Sequence, residues 1–201
     1  MKICGITDVD TALQAVSSGA DALGFVFAES KRKIDPVAAG KISGQIPPCV
    51  EKIGVFVNET REKIEEIVTA AKLTMVQLHG DESPEFCDSL SVPVIKALSI
   101  GSEADLQEMN KYHCEMILLD SPKGKYRGGN GTSFNWDILA GSQFPNKRII
   151  LAGGLHEENV ERAISITNPD MVDVSSGVET DGRKDVAKIK AFINKVKPSQ
   201  S

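Results

Sequence analysis

Short apolar runs alternate along the whole chain with stretches whose apolar positions recur every three or four residues. The short runs are Lys2–Ile6, Ala22–Phe27, Lys52–Val57, Met75–His79, Pro93–Leu98, Met116–Asp120, Arg148–Ala152 and Met171–Val174. They read as strands, and the unbroken apolar run of Ala22–Phe27 suits a strand buried on both faces. The stretches between them read as helices. Asp8–Ser18 carries a stripe of Val9, Ala12, Leu13, Ala15 and Val16, and Gly19 ends it. Asp35-Pro36 supplies an N-cap and a proline at the first helical position, opening a helix to about Gln45. Thr60–Leu73, Ser83 to about Leu90, Glu103–Tyr112, His156–Ile166 and Asp185–Val196 are further helices, with a short one beginning at Asn135 and carrying Trp136.

About eight strand–helix pairs in this order imply a parallel sheet with right-handed crossovers. An open doubly wound sheet uses the same alternation. So many units in 201 residues, without an early G-x-G-x-x-G, favour closure into a (β/α)8 TIM barrel. The expectation is one barrel domain over residues 1–197, with 198–201 as a frayed tail. The one long irregular stretch, Ser121–Ser133, is rich in Gly, Lys and Ser, and loops of that length are usually functional or disordered.

Composition narrows the partners. Apolar residues make up 41% and charged residues 25%, and the formal net charge is -5. That balance disfavours nucleic acid or an anionic membrane surface but leaves room for a small anionic ligand in a local positive field. No run approaches the roughly 20 apolar residues of a membrane span, and no secretory signal opens the chain, so a cytoplasmic protein is expected. Cys4, Cys49, Cys87 and Cys114 are far apart, which suggests neither a zinc knuckle nor a disulfide framework. His79, His113 and His156 are few for a metal site, and no metal or cofactor is expected.

In such a barrel the chemistry sits at the C-terminal strand ends. Gly153-Gly154 and Ser175-Ser176-Gly177 close the seventh and eighth strands, the usual phosphate pocket of the fold; otherwise they are tight turns. Asp120 ends the sixth strand and is a candidate proton donor, or else a turn former. Cys4, at the end of the first, is the complementary base as a thiolate, or else a small buried hydrophobe. Arg32, in the basic cluster Ser30-Lys31-Arg32-Lys33 after the second strand, either belongs to a solvated loop or leans over the barrel mouth to hold a carboxylate bidentately. His79 is either a site wall or a structural histidine. Lys96 is either a Schiff-base lysine or a snorkelling one. Asp173, inside an apolar strand, needs a structural partner or a substrate.

Lys2-Ile-Cys-Gly-Ile-Thr7, Gly19–Phe27, Ser30-Lys-Arg32, Gly54–Asn58, Val76–Gly80, Leu118–Asp120, Gly153–Leu155 and Val172–Glu179 together resemble phosphoribosylanthranilate isomerase, over Lys2 to about Phe192. The resemblance implies an aldose–ketose isomerase of tryptophan biosynthesis. It would convert N-(5-phosphoribosyl)anthranilate to 1-(2-carboxyphenylamino)-1-deoxyribulose 5-phosphate by a metal-free Amadori rearrangement. It makes Asp120 the acid that opens the furanose ring and Cys4 the base at C2. Arg32 would hold the anthranilate carboxylate, and the glycine- and serine-bearing loops the phosphate. Asp173 would face the substrate nitrogen, and His79 would line the site. The expected partner is this phosphorylated small molecule, with the chain a monomer or homodimer. The alternatives are another phosphosugar barrel isomerase or a non-catalytic phosphate-ligand binder.

Overall fold

A computed structural model describes residues 1–122, 135–141, 144 and 146–197. Most of the Ser121–Ser133 loop and the whole 198–201 tail lie outside the described residues. Eight parallel strands close on themselves in sequence order. They are β1 Lys2–Cys4, β2 Ala22–Val26, β3 Glu51–Phe56, β4 Met75–Leu78, β5 Val94–Ser99, β6 Met116–Asp120, β7 Arg148–Leu151 and β8 Met171–Val174. The seam that completes the ring pairs Lys2 with Asp173 and Ile3 with Val174.

Helices α1 Val9–Ser17, α2 Pro36–Ser43, α3 Arg61–Ala71, α4 Pro84–Asp88, α5 Glu103–Leu106 and α6 Val160–Thr167 follow their strands, and α7 Val186–Val196 comes last. Their starts are local. Asp8, Asp35, Thr60, Ser83 and Asp185 each accept a backbone N–H of the first turn. Each such cap contributes about 1 kcal/mol. α3 and α6 stop where Lys72 and Asn168 turn left-handed, at φ 53° and 41°.

Two apolar clusters follow from the two-residue period of a strand. The larger fills the space between strands and helices and includes Ile3, Leu23, Phe25, Phe56 and Phe192. The smaller, Ala22, Ile53, Met75, Ile95, Ala97, Leu118, Ile150 and Ala152, fills the barrel itself. Counting by twos from it puts Lys2 with Cys4, Gln77 with His79, Asp120, and Asp173 on the inward face.

The same count puts Lys96 outside the barrel. Its ammonium bonds the carbonyls of Leu78 and Gly80 and the Glu82 carboxylate at 2.8–3.3 Å. It also sits 5.7 Å from the Tyr112 ring centroid. Lys96 is a structural lysine, and its outward direction removes it from Schiff-base chemistry.

Three elements differ from the pattern read in the sequence. The helix expected over Glu103–Tyr112 is α-helical only to Leu106 and continues as a 3-10 helix over Gln107–Lys111. Its buried residues, Leu106 and Met109, are three apart, the repeat of a 3-10 turn. The helix expected from His156 begins at Val160. The Asn159 side chain ties His156 N and Gly154 O into a turn ahead of it. A small hairpin, β9 Glu179–Thr180 and β10 Arg183–Lys184, lies between β8 and α7.

Candidate active site

Cys4 and Asp120 are the last residues of β1 and β6. In the ring these strands are separated by β7 and β8 on one side, so the two side chains enter one mouth from well-separated points of its rim. Asp120 is buried. Its Oδ1 accepts from Ser121 N at 2.8 Å, and its Oδ2 lies 3.2 Å from His79 Nε2. The Gln77 amide stands 3.0 Å from His79 Nδ1. With that amide as donor, Nδ1 accepts and Nε2 carries the proton toward Asp120. His79 therefore orients the carboxyl at the end of β6.

Cys4 is buried in a charged setting. Burial pushes its thiol up, and the Lys2 ammonium opposes this most, with the Asp173 carboxylate and Lys184 acting in opposite directions after it. Asp173 is committed to Lys2 through Oδ2 at 2.8 Å, while its Oδ1 is buried with no protein partner among the described residues. The carboxylate thus has a structural partner on one side and an open acceptor on the other.

Arg32 lies beside the same rim. Gly5 takes φ +84°, and a Cβ there would stand 2.6 Å from Arg32 Cδ, so glycine lets the arginine cross above β1. Two of its N–H groups are held by Glu179, at 2.6 and 3.0 Å. Glu179 also binds Lys184 at 2.8 Å and Lys31 at 3.3 Å. Against the desolvation that would raise it, Arg32 and Lys184 hold the Glu179 carboxyl down to about 2. A cavity of about 400 Å³ opens here, lined by Gly5, Thr7, Arg32, Glu179, Gly182 and Lys184 among others.

The two glycine-bearing loops touch. Gly153 and Gly154 take φ of 82° and 66°, a turn that excludes most side chains. Gly153 packs against Ser121 N, where a Cβ would be at 2.7 Å, so the β7 loop lies against the end of β6. A Cβ on Gly177 would be 1.9 Å from Leu155 O, so the β8 loop rests directly on the β7 loop. Ser176–Val178 form a 3-10 turn there. Ser175 Oγ donates to Cys4 O at 3.1 Å, and Lys184 donates to Ser175 O at 2.8 Å, sewing the β8 loop to β1.

Cys4, His79, Asp120, Asp173, Arg32 and the glycine loops therefore all gather at or below the C-terminal rim. Lys2, Gly24, Glu179 and Lys184 join them without having been singled out in the sequence. Asp181-Gly182, with φ of 51° and 76°, is a hairpin turn, and that dipeptide is the sequence signal from which the strand carrying Lys184 could be found. The same inward parity that selects Cys4 selects Lys2.

A closed parallel barrel with a thiol, a carboxyl and two abutting glycine loops at its strand ends belongs to the (β/α)8 enzyme class. The comparisons with known proteins give the family. Residues 1–195 match the family described as N-(5'phosphoribosyl)anthranilate (PRA) isomerase. An N-(5'-phosphoribosyl)anthranilate isomerase of Bacillus mycoides (strain KBAB4) is 54% identical over 200 residues, 98% of this chain and 97% of that protein. The crystal structure of phosphoribosyl anthranilate isomerase from Thermotoga maritima superimposes with a TM-score of 0.90 at 44% identity, covering 98% of this chain and 97% of that one. A phosphoribosyl anthranilate isomerase in complex with reduced 1-(o-carboxyphenylamino)-1-deoxyribulose 5-phosphate gives 0.85 at 43% identity, covering 98% and 97%. The chain belongs to the N-(5'-phosphoribosyl)anthranilate isomerase family. Among the described residues no helix is long and apolar enough to cross a membrane.

Proposed function

We propose that this chain isomerises N-(5'-phosphoribosyl)anthranilate to 1-(2-carboxyphenylamino)-1-deoxyribulose 5-phosphate, with Asp120 as acid and Cys4 as base. Asp120 gives a proton to the furanose ring oxygen. The C1–O bond breaks, and the lone pair of the substrate's own nitrogen forms the C1=N iminium. Cys4, as thiolate, takes the proton from C2. The resulting enolamine tautomerises, with C2 ending as a ketone and C1 gaining a hydrogen. C1 is reduced and C2 oxidised within one molecule, so the balance needs no external electron acceptor.

The observation that carries this reading is the placement of Cys4 and Asp120 at the ends of β1 and β6, both inward and around one mouth. Arg32 keeps N–H groups beyond the two that Glu179 uses, and these serve the anthranilate carboxylate. The backbone of Gly153, Gly154, Ser176 and Gly177, with Ser175 at its base, takes the phosphate. Asp173 Oδ1 is the acceptor available to the substrate nitrogen. His79 acts through Asp120.

The test is direct. The unstable substrate is generated in situ, and the loss of anthranilate-type fluorescence is followed. Cys4→Ser and Asp120→Asn should each lower kcat by at least about 10²–10⁴-fold, the usual worth of a positioned acid or base, with unchanged circular dichroism. Turnover near the parent rate in either variant would remove that residue from its role.

A further inference from the structure

Lys2 enters β1 two residues before Cys4, on the same inward face, and its side chain has no exposed surface. A buried ammonium is costly unless it is paired and hydrogen-bonded. Asp173 on the neighbouring strand supplies one bond at 2.8 Å. An ammonium has three N–H donors.

Gly24 shows what lies beside the lysine stem. It pairs with Cys4 across β1 and β2. A Cβ at Gly24 would stand 2.7 Å from Cys4 Sγ and 3.1 Å from Lys2 Cε. The lysine stem and the sulfur therefore converge on one spot, which glycine leaves clear. Nζ is one bond beyond Cε.

We propose that Lys2 is a positioning residue of the isomerisation: its ammonium, anchored by Asp173, is the counter-ion of the Cys4 thiolate. This rests on Cys4 being the base. Lys184, from the β9–β10 hairpin, acts on the sulfur in the same sense, but its bonds go to Glu179 and Ser175. Asp173, from β8, acts in the opposite sense while holding Lys2 in place. The proton balance is simple. The thiolate takes the C2 proton and becomes a thiol, the pairing with Lys2 relaxes, and release of that proton to solvent water restores it. Lys2 keeps its three protons throughout.

Lys2→Met keeps the length and removes the charge. Without the cation the thiolate forms only at higher pH, so the acid limb of the kcat profile should move up by about one unit or more. At pH 7 kcat should fall about tenfold or more and recover as the pH rises, with KM within about twofold. Lys2→Arg should keep the limb near the parent position. An unmoved limb in folded Lys2→Met overturns the proposal. If Lys2→Met does not fold, the intact chain decides. The Lys2 ammonium resonance, followed by nitrogen NMR, should titrate together with Cys4 and lose that step in Cys4→Ser. A resonance blind to Cys4 overturns the proposal. Parent-like turnover in Cys4→Ser removes the base itself. An inactive Cys4→Ser beside an unmoved limb in Lys2→Met removes only the role of Lys2.

Discussion

Gly24 has an ordinary negative φ and no turn to make, so its lack of a side chain is a matter of room for Cys4 and Lys2. A methyl group there would press on Cys4 Sγ at 2.7 Å and on the Cys4 backbone at 3.0 Å. Gly24→Ala should therefore cost about 1–3 kcal/mol of stability from overpacking. It should cost kcat at least about tenfold, because a 1 Å displacement of a reacting group is enough for that. Steady-state kinetics beside a denaturant melt separates the two effects. Lys96 gives the opposite pattern. Lys96→Met strands the buried Glu82 carboxylate and should destabilise the fold by about 3–5 kcal/mol, while kcat per folded molecule stays at the parent value. A stable Lys96→Met with lost turnover would return the lysine to the chemistry.

At the scale of elements, the two loops that follow β7 and β8 work as one surface because Gly177 lets them touch. Gly177→Ala cannot keep a contact of 1.9 Å to Leu155 O, so the loops must part. The expected outcome is a KM raised about tenfold or more for the phosphorylated substrate, with a smaller change in kcat; an unchanged KM would place phosphate binding elsewhere. The barrel itself was legible because each buried strand is a dense apolar run and each helix has a cap or a stop. Cys4, Asp120 and the glycine loops were legible as candidates because this fold places its sites at the C-terminal strand ends. The hairpin is not legible by pattern, since two-residue strands have no periodicity; its one sequence signal is Asp181-Gly182. Glu179 and Lys184 go with it. Lys2 is not legible as a site residue because a lysine at the start of a strand normally reaches solvent, and its complete burial depends on Asp173, a partner 171 residues away.

Across the whole molecule, Glu179 gathers Arg32 from the loop after β2 and Lys184 from the hairpin after β8, bridging the seam where the barrel closes on β1. Its carboxyl is held at about 2 in the folded chain against an ordinary 4.5. A depressed carboxyl stabilises the fold above its unfolded value and loses that contribution as the pH falls through the folded one. With solvent screening discounted, Glu179 should thus contribute about 1–2 kcal/mol at neutral pH, lost as the pH falls from 4.5 towards 2. Urea melts of the parent and Glu179→Gln should differ most above pH 5 and converge near pH 2; a constant gap would show that Glu179 acts by packing alone. The proposed isomerisation needs one sugar phosphate lying between Cys4 and Asp120. A crystal structure of this chain with reduced 1-(o-carboxyphenylamino)-1-deoxyribulose 5-phosphate measures that directly. The prediction is ligand C2 within about 3–3.5 Å of Cys4 Sγ, the sugar chain reaching Asp120, and the phosphate on the backbone of Gly154 and Gly177. A ligand seated away from the β1 and β6 ends, or a Cys4 sulfur turned from it, would contradict the account.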